Sequence, residues 1–265
     1  MQHVISKDGT RIAYDKTGSG QPVILVAGAF SYRKFPGSLE LVDLLKDDFT
    51  VFNYDRRGRG DSGDTPLYAV EREIEDLEAV IAEAGGSAYV WGLSSGAALA
   101  LKAAESGLNI TKLVLYEPPF IVDANDPQPP PDFETHIKAL IAADKRGEAV
   151  TYFMTKGMGA PVFVPWIMRV MPGVWKRLKA VAHTLPYDVA IVKDHASGKP
   201  FEIAQWKNVT MPTLVINGEK SGDLLRHTAK ALSEVLPNAQ HRTLEGQSHN
   251  VSMKVLAPIL KEFYI

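Results

Sequence analysis

The sequence predicts an α/β fold in which a mainly parallel, doubly wound sheet of about eight strands carries an inserted helical cap. Two observations indicate this fold class: β-type runs alternate with amphipathic helical segments in the first part of the chain, and the same alternation returns at its end. The stretch between these parts has helical patterns and no run typical of a sheet strand. We therefore expect residues 1–117 and 212–265 to form the core and residues 118–211 to form the cap.

The elements of the first part follow in chain order. HVIS and RIAYDKTG flank Asp8-Gly9, a dipeptide typical of a hairpin turn. PVILVAG is a continuous apolar run, as in a strand that is buried on both faces. GSLELVDLLKDD predicts an amphipathic helix, and TVFNYD predicts the next strand. PLYAVEREIEDLEAVIAEAGG has apolar residues at helical spacing and ends at Gly85-Gly86.

The remaining elements repeat this alternation around the insertion. AYVWG, an alanine-rich helix and KLVLYE predict a strand–helix–strand unit. The insertion opens with the proline-rich loop PPFIVDANDPQPPPD and continues with short helical segments. PTLVING, a helix near 223–236, AQHRTLEG and a last helix SMKVLAPILKEF then complete the core.

Composition excludes several classes of protein. The 265 residues include 29 Lys and Arg against 31 Asp and Glu, a net charge of −2 that indicates neither a nucleic-acid partner nor an anionic membrane. Because the chain has no cysteine, disulfides, thiolate zinc sites and cysteine nucleophiles are excluded. No run reaches the roughly 18 apolar residues of a membrane span, and the polar start lacks the apolar stretch of a secretory signal. We therefore expect a cytoplasmic protein.

The segment GLSSG lies between a predicted strand and a predicted helix. Gly92-x-Ser94-x-Gly96 is the pattern of a sharp turn that raises a serine hydroxyl at the carboxyl end of a sheet. Such a turn needs small neighbours because backbone packs against backbone, and the helix N-terminus beside it offers N–H groups to an anion. The pattern predicts Ser94 as a nucleophile, with a Gly- and Ser-rich loop as the alternative.

The order of elements and GLSSG resemble the α/β-hydrolase fold over nearly the whole chain. VILVAGAF is similar to the strand and turn that usually read His-Gly in this family; here Ala27 replaces the histidine and Gly28 remains. This replacement affects the hydrogen bonds within the turn more than the chemistry, because the oxyanion donors are backbone N–H groups. The resemblance implies that the N–H groups of Ala29 and Ser95 form an oxyanion hole.

Three arginines, at positions 56, 57 and 59, lie in YDRRGRGDS, which resembles the family's Asp-x-Arg-Gly-x-Gly-x-Ser turn. A short basic cluster is usually a solvated turn, and we expect no phosphate site there. The Arg-Gly-Asp triplet at 59–61 is accounted for by the family turn.

Of the seven histidines, His249 in LEGQSHNVSM follows the last predicted strand and matches the family's catalytic histidine. The resemblance implies that His249 takes the proton of Ser94 and later passes it to the leaving group. The other histidines lie in a strand, in a helix, in the insertion or near the N-terminus.

The acid that orients His249 is left open between two positions. In most of the family it lies three residues after the glycine of the PTLVI-x-G strand, but Ser221 occupies that position and Asp223 lies two residues beyond it. A subset that includes some haloalkane dehalogenases places the acid after the strand that follows the nucleophile helix, which here is Glu117. We favour Glu117 over Asp223 as the acid, with a water-bridged or absent acid as the remaining alternative.

The resemblance implies a serine hydrolase that cleaves a small, largely apolar ester, thioester or lactone and needs no cofactor and no metal. The most apolar part of the insertion is APVFVPWIMRVMPGVW. We expect Phe163, Trp166 and Met168, together with Phe30, to line the pocket for this small-molecule substrate; the alternative for the insertion's apolar residues is that they pack the cap onto the core. Two other functions remain open: a ligand-binding protein with a vestigial triad, and a lyase or perhydrolase.

Overall fold

The computed structural model describes all residues from 1 to 265. One eight-stranded sheet runs through the molecule in the order β1-β2-β4-β3-β5-β6-β7-β8. Its strands are β1 Gln2–Ile5, β2 Arg11–Thr17, β3 Gln21–Val26, β4 Phe49–Tyr54, β5 Ala88–Leu93, β6 Ile110–Tyr116, β7 Thr213–Gly218 and β8 Ala239–Leu244. β2 pairs antiparallel with β1 and β4, and all other neighbours are parallel. The predicted fold class is confirmed.

Ten α-helices accompany the sheet. Five flank the strands: α1 Pro36–Leu45, α2 Val70–Glu83, α3 Ser95–Glu105, α9 Asp223–Val235 and α10 Met253–Tyr264. The other five lie between β6 and β7: α4 Phe133–Ala142, α5 Arg146–Tyr152, α6 Phe163–Arg169, α7 Pro172–Val181 and α8 Leu185–Val192. No sheet strand lies among these five helices. None of the ten helices combines the length and the apolar character needed to cross a membrane.

Burial on both faces explains the apolar runs of the central strands. Val23, Ile24, Leu25 and Val26 of β3 are all buried, with alternate side chains in two different apolar clusters. One cluster lies under α2, α3 and α9, and the other under α1 and α10. The alanines of α3 are fully buried, so this helix packs directly onto the sheet. Because β3 to β8 run parallel, their carboxyl ends lie at a single edge of the sheet.

The cap has an apolar cluster of its own, centred on Phe133, Ile137, Val150 and Phe153. Ala29 and Phe30 from the loop after β3 pack against it, so the cap covers that loop. Helix α6 is different, because its Phe163, Trp166 and Ile167 side chains are exposed to solvent.

Candidate active site

Ser94 occupies a strained turn between β5 and α3. Its backbone has φ 56° and ψ −126°, a combination that L-residues rarely adopt, and such strain is concentrated at functional sites. The N–H of Ser94 donates to the carbonyl of Tyr116 at 2.9 Å, which ties the turn to the end of β6. The side chain remains partly exposed.

Glycines on both sides make this turn possible. A Cβ on Gly96 would lie 2.2 Å from the carbonyl oxygen of Val26, and a Cβ on Gly92 would lie 2.6 Å from the Cα of Ala97. Both obstacles are backbone atoms of packed elements, which cannot move aside without disturbing the sheet.

We expect Gly96→Ala to lower the free energy of unfolding by about 3 kcal/mol and to abolish activity, because the added methyl overpacks backbone against backbone. Gly173→Ala is the matched control, since a Cβ there meets nothing within 4 Å. Denaturant unfolding compares the stability of the two variants, and equal midpoints would contradict the packing argument.

The two amides predicted for the oxyanion hole lie in the loop after β3 and at the start of α3. The N–H of Ala29 donates to no protein carbonyl or side chain. The N–H of Ser95 is the first of α3, where a helix leaves its N–H groups without an acceptor inside the helix. The loop that carries Ala29 lies against the serine turn, since a Cβ added to Gly28 would lie 3.0 Å from the Cβ of Ser94. The unpaired N–H of Ala29 and the first N–H of α3 flank a strained serine, an arrangement that suits a developing oxyanion.

The carboxylate of Glu117 holds His249. Nδ1 of His249 donates to Oε2 of Glu117 at 2.6 Å, and Glu117 is fully buried while the His249 side chain is 31% exposed. The other carboxylate oxygen, Oε1, accepts the N–H of Gly218 at 2.7 Å. Glu117 also has a positive φ of 48°, so both its backbone and its side chain are held in one arrangement.

The bond to Glu117 is the only hydrogen bond of the His249 ring, which leaves Nε2 available. Ser94 Oγ is not directly bonded to His249 in this structure, and such bonds are often long before substrate binds. The shared strand ends nevertheless link the groups, since the residue before Glu117 accepts the N–H of Ser94.

The other predicted acid does not meet His249. Asp223 is the first residue of α9, is 67% exposed and pairs with Arg226 one turn later. Ser221, at the position where most of the family carries the acid, is buried, and its hydroxyl has no hydrogen-bond partner. The structure thus brings the carboxylate to His249 from the end of β6 rather than from the loop after β7.

The four predicted pocket residues lie in two settings. Phe30 and Met168 are partly buried against the apolar cluster of the cap, and the Phe30 ring meets that of Phe153 edge-on at 5.5 Å. Phe163 and Trp166 are 59% and 64% exposed on α6. Their place in a substrate pocket therefore stays a prediction.

The expectation of a solvated arginine turn was wrong. Arg56, Arg57 and Arg59 are each about 1% exposed. Each guanidinium faces both oxygens of one carboxylate: Glu73, Asp76 and Asp188 respectively. Buried guanidinium groups need such partners, which the surrounding helices supply. The sequence turn alone could not reveal these partners, because they come from α2 and α8.

Asp188, like Glu73 and Asp76, was not predicted from the sequence. It is a buried acid in the otherwise apolar segment of α8, and an isolated buried carboxylate is costly without a partner. That signal was visible in the sequence, but the identity of the partner was not. No group of three or more His, Asp or Glu side chains is placed to hold a metal ion.

Fold and site together define a member of the hydrolases with a doubly wound sheet and a helical cap. The sequence model described as "Alpha/beta hydrolase family" matches residues 23–255, and the chain belongs to this family. The resemblance read from the motifs is thereby confirmed, and it supports hydrolase activity in general.

The chain is also similar to solved structures. An alpha/beta hydrolase from Sphaerobacter thermophilus is 51% identical over the full length of both chains, with a TM-score of 0.92. An esterase from Rhodococcus sp. ECU1013 is 19% identical, with 99% of this chain and 97% of that chain covered and a TM-score of 0.71. A thermophilic esterase from Thermogutta terrifontis is 22% identical at the same coverage, with a TM-score of 0.69. A comparison with curated protein sequences finds no match.

Proposed function

We propose that this protein is a serine hydrolase that cleaves a small, largely apolar ester, thioester or lactone through an acyl-enzyme. The observation that carries the proposal is the buried Glu117 carboxylate bound to Nδ1 of His249 at the strand edge where Ser94 occupies a strained turn. A carboxylate in this position fixes the tautomer in which Nε2 can accept a proton.

The chemistry follows from these groups. Ser94 Oγ attacks the acyl carbonyl carbon while His249 Nε2 takes its proton, and the carbonyl oxygen becomes an oxyanion at the N–H groups of Ala29 and Ser95. His249 then protonates the departing alcohol or thiol, which leaves an ester on Ser94. Water, deprotonated by His249, attacks that ester; the bond to Ser94 Oγ breaks, His249 returns the proton to Oγ, and the acid is released.

The apolar surroundings support the substrate class. Phe30 lies in the loop that carries the oxyanion amide, and the cap residues that it packs against are apolar. Such surroundings favour an uncharged acyl group over a charged one, because a charge would lose its hydration without gaining a partner. A series of aryl esters with acyl chains of increasing length, extended to lactones and thioesters, measures this preference.

We expect a fluorophosphonate probe to modify the native protein at Ser94, with a bond from Oγ to phosphorus and loss of fluoride. Intact-mass and peptide mass spectrometry locate the adduct, and heat-denatured protein is the control for unspecific reaction. Native protein that stays unmodified would contradict the hydrolase proposal and favour a ligand-binding role.

The alternative of a binding protein rested on the missing acid at Ser221, and Glu117 now supplies a carboxylate to His249. No observation in the structure favours a lyase or a perhydrolase. Analysis of the products formed from simple esters, with and without peroxide, distinguishes these reactions from hydrolysis.

A further inference from the structure

A buried ionic cluster lies directly beneath the proposed oxyanion hole. It consists of Arg56, Arg59, Glu73 and Asp188, and the four side chains are at most 2% exposed. Two guanidinium groups face two carboxylates, so the cluster is neutral as a whole. Three of its members belong to the core, and Asp188 comes from α8 of the cap.

The arginines hold the carbonyl groups of the oxyanion loop. Arg59 Nη1 donates to the carbonyl of Gly28 at 2.6 Å, and Arg56 Nη1 donates to that of Ala27 at 3.2 Å. The Gly28 carbonyl and the Ala29 N–H belong to one planar trans peptide and point in opposite directions. A guanidinium that fixes this carbonyl therefore fixes the direction of the N–H on the other side. These bonds occupy the turn in which Ala27 replaces the family's usual histidine.

Asp188 connects the two arginines to Ser95, whose N–H is the second predicted oxyanion donor. Its two oxygens each accept from Arg59 Nη2 at 2.8 Å, and Oδ1 also accepts from Arg56 at 2.9 Å. The hydroxyl of Ser95 donates to the same Oδ1 at 2.7 Å. Burial alone would raise the pKa of Asp188, but Arg59 and Arg56 hold it below its usual value, in keeping with a charged carboxylate. A single cap residue thus contacts the supports of both oxyanion amides.

We infer that Asp188 and Arg59 are positioning residues that aim the N–H groups of Ala29 and Ser95 at the oxyanion, so that the seating of α8 on the core completes the oxyanion hole. The inference rests on the proposed hydrolase function. Neither residue touches the substrate in this scheme, and their effect is confined to the stabilisation of the transition state.

The same turn supplies a matched control. Arg57 donates to both oxygens of Asp76 at 2.7 and 2.6 Å, and this pair is as deeply buried as that of Arg59 and Asp188. Its further contacts are with Asp8 and the carbonyl of Arg72, away from the oxyanion loop. Loss of the carboxylate from either pair leaves a buried guanidinium without its partner, so both substitutions destabilise the fold.

The test compares Asp188→Asn with Asp76→Asn at a temperature where both are folded. We expect Asp188→Asn to lower kcat for an aryl ester by about 10- to 100-fold while KM changes by less than about threefold, since misaimed donors weaken only the transition state. Asp76→Asn should lower the melting temperature to a similar extent and keep kcat within about twofold of wild type.

A second readout is inhibition by a trifluoromethyl ketone, whose carbonyl carbon is attacked by Ser94 to give an adduct with an oxyanion. Its Ki should rise in Asp188→Asn by the same factor by which kcat falls, whereas the Ki of the uncharged alcohol product, which carries no oxyanion, should not change. If Asp188→Asn does not fold, Ser95→Ala carries the test. That variant keeps the amide and removes only the bonds of the hydroxyl with Asp188 and Arg56. It should lower kcat by about five- to tenfold with the same rise in Ki.

The outcomes separate the two proposals. Equal loss of kcat in Asp188→Asn and Asp76→Asn, or an unchanged Ki for the ketone, would overturn the positioning role while the hydrolase function stands. A wild-type protein that neither hydrolyses esters nor reacts with a fluorophosphonate would overturn both.

Discussion

Replacing Ser94 with alanine is expected to lower kcat for an activated ester by about a million-fold, since removal of a nucleophile leaves only the catalysis that the oxyanion donors and binding supply. The substitution removes a single partly exposed oxygen and keeps the Cβ, so the packing of the turn is retained. KM should change little because the acyl-binding surface is untouched. Stopped and continuous ester assays together cover the required range of rates.

Ser233→Ala is the control for this experiment. Ser233 lies on α9, is partly exposed, and donates only to the carbonyl of Lys230 within the same helix. It should keep wild-type kcat and KM. Retention of more than about one hundredth of the activity in Ser94→Ala would show that another group is the nucleophile.

Replacing Glu117 with glutamine is expected to lower kcat by about three to four orders of magnitude, as loss of the orienting acid does in serine hydrolases. The structure explains why the isosteric amide fails. The N–H of Gly218 needs an acceptor at the position of Oε1, so the amide oxygen turns towards Gly218 and the NH2 group turns towards His249. His249 Nδ1 must then accept a hydrogen bond, and the proton moves to Nε2. In that tautomer the ring cannot take the proton of Ser94.

Asp223→Asn is the matched control, because Asp223 is exposed and paired with Arg226. Its kcat should stay within about twofold of wild type. The opposite ranking of the two variants would place the acid in the loop after β7. Circular dichroism and thermal unfolding of both variants exclude loss of fold as the cause.

The acid illustrates what the sequence could and could not predict. Both Glu117 and Asp223 follow sheet strands, and both lie near the same edge once the strands are parallel. The chain order does not say which side chain turns inward. That direction depends on the positive φ of Glu117 and on its bond to the N–H of Gly218, two features that exist only in the folded chain.

For the arginine turn, the expectation from the sequence was wrong. The three arginines at positions 56, 57 and 59 were expected to be solvated, and the structure buries all three guanidinium groups. Their partners Glu73, Asp76 and Asp188 are 17, 19 and 129 residues away from the arginines that they bind. Charge patterns within a short window carry no information about partners so distant along the chain.

Periodicity and turn residues were enough to predict the strands, the sheet-flanking helices, the inserted position of the cap and the strained turn at Ser94. These features depend on neighbours a few residues apart, such as the glycines on either side of the serine, and on the burial of continuous apolar runs. The partner of His249 and the buried bonds that aim the oxyanion loop depended on tertiary structure instead. Both are set by side chains from separate elements that meet at one sheet edge. A buried charge there needs an opposite charge beside it, and the residue that supplies that charge can be far away along the chain.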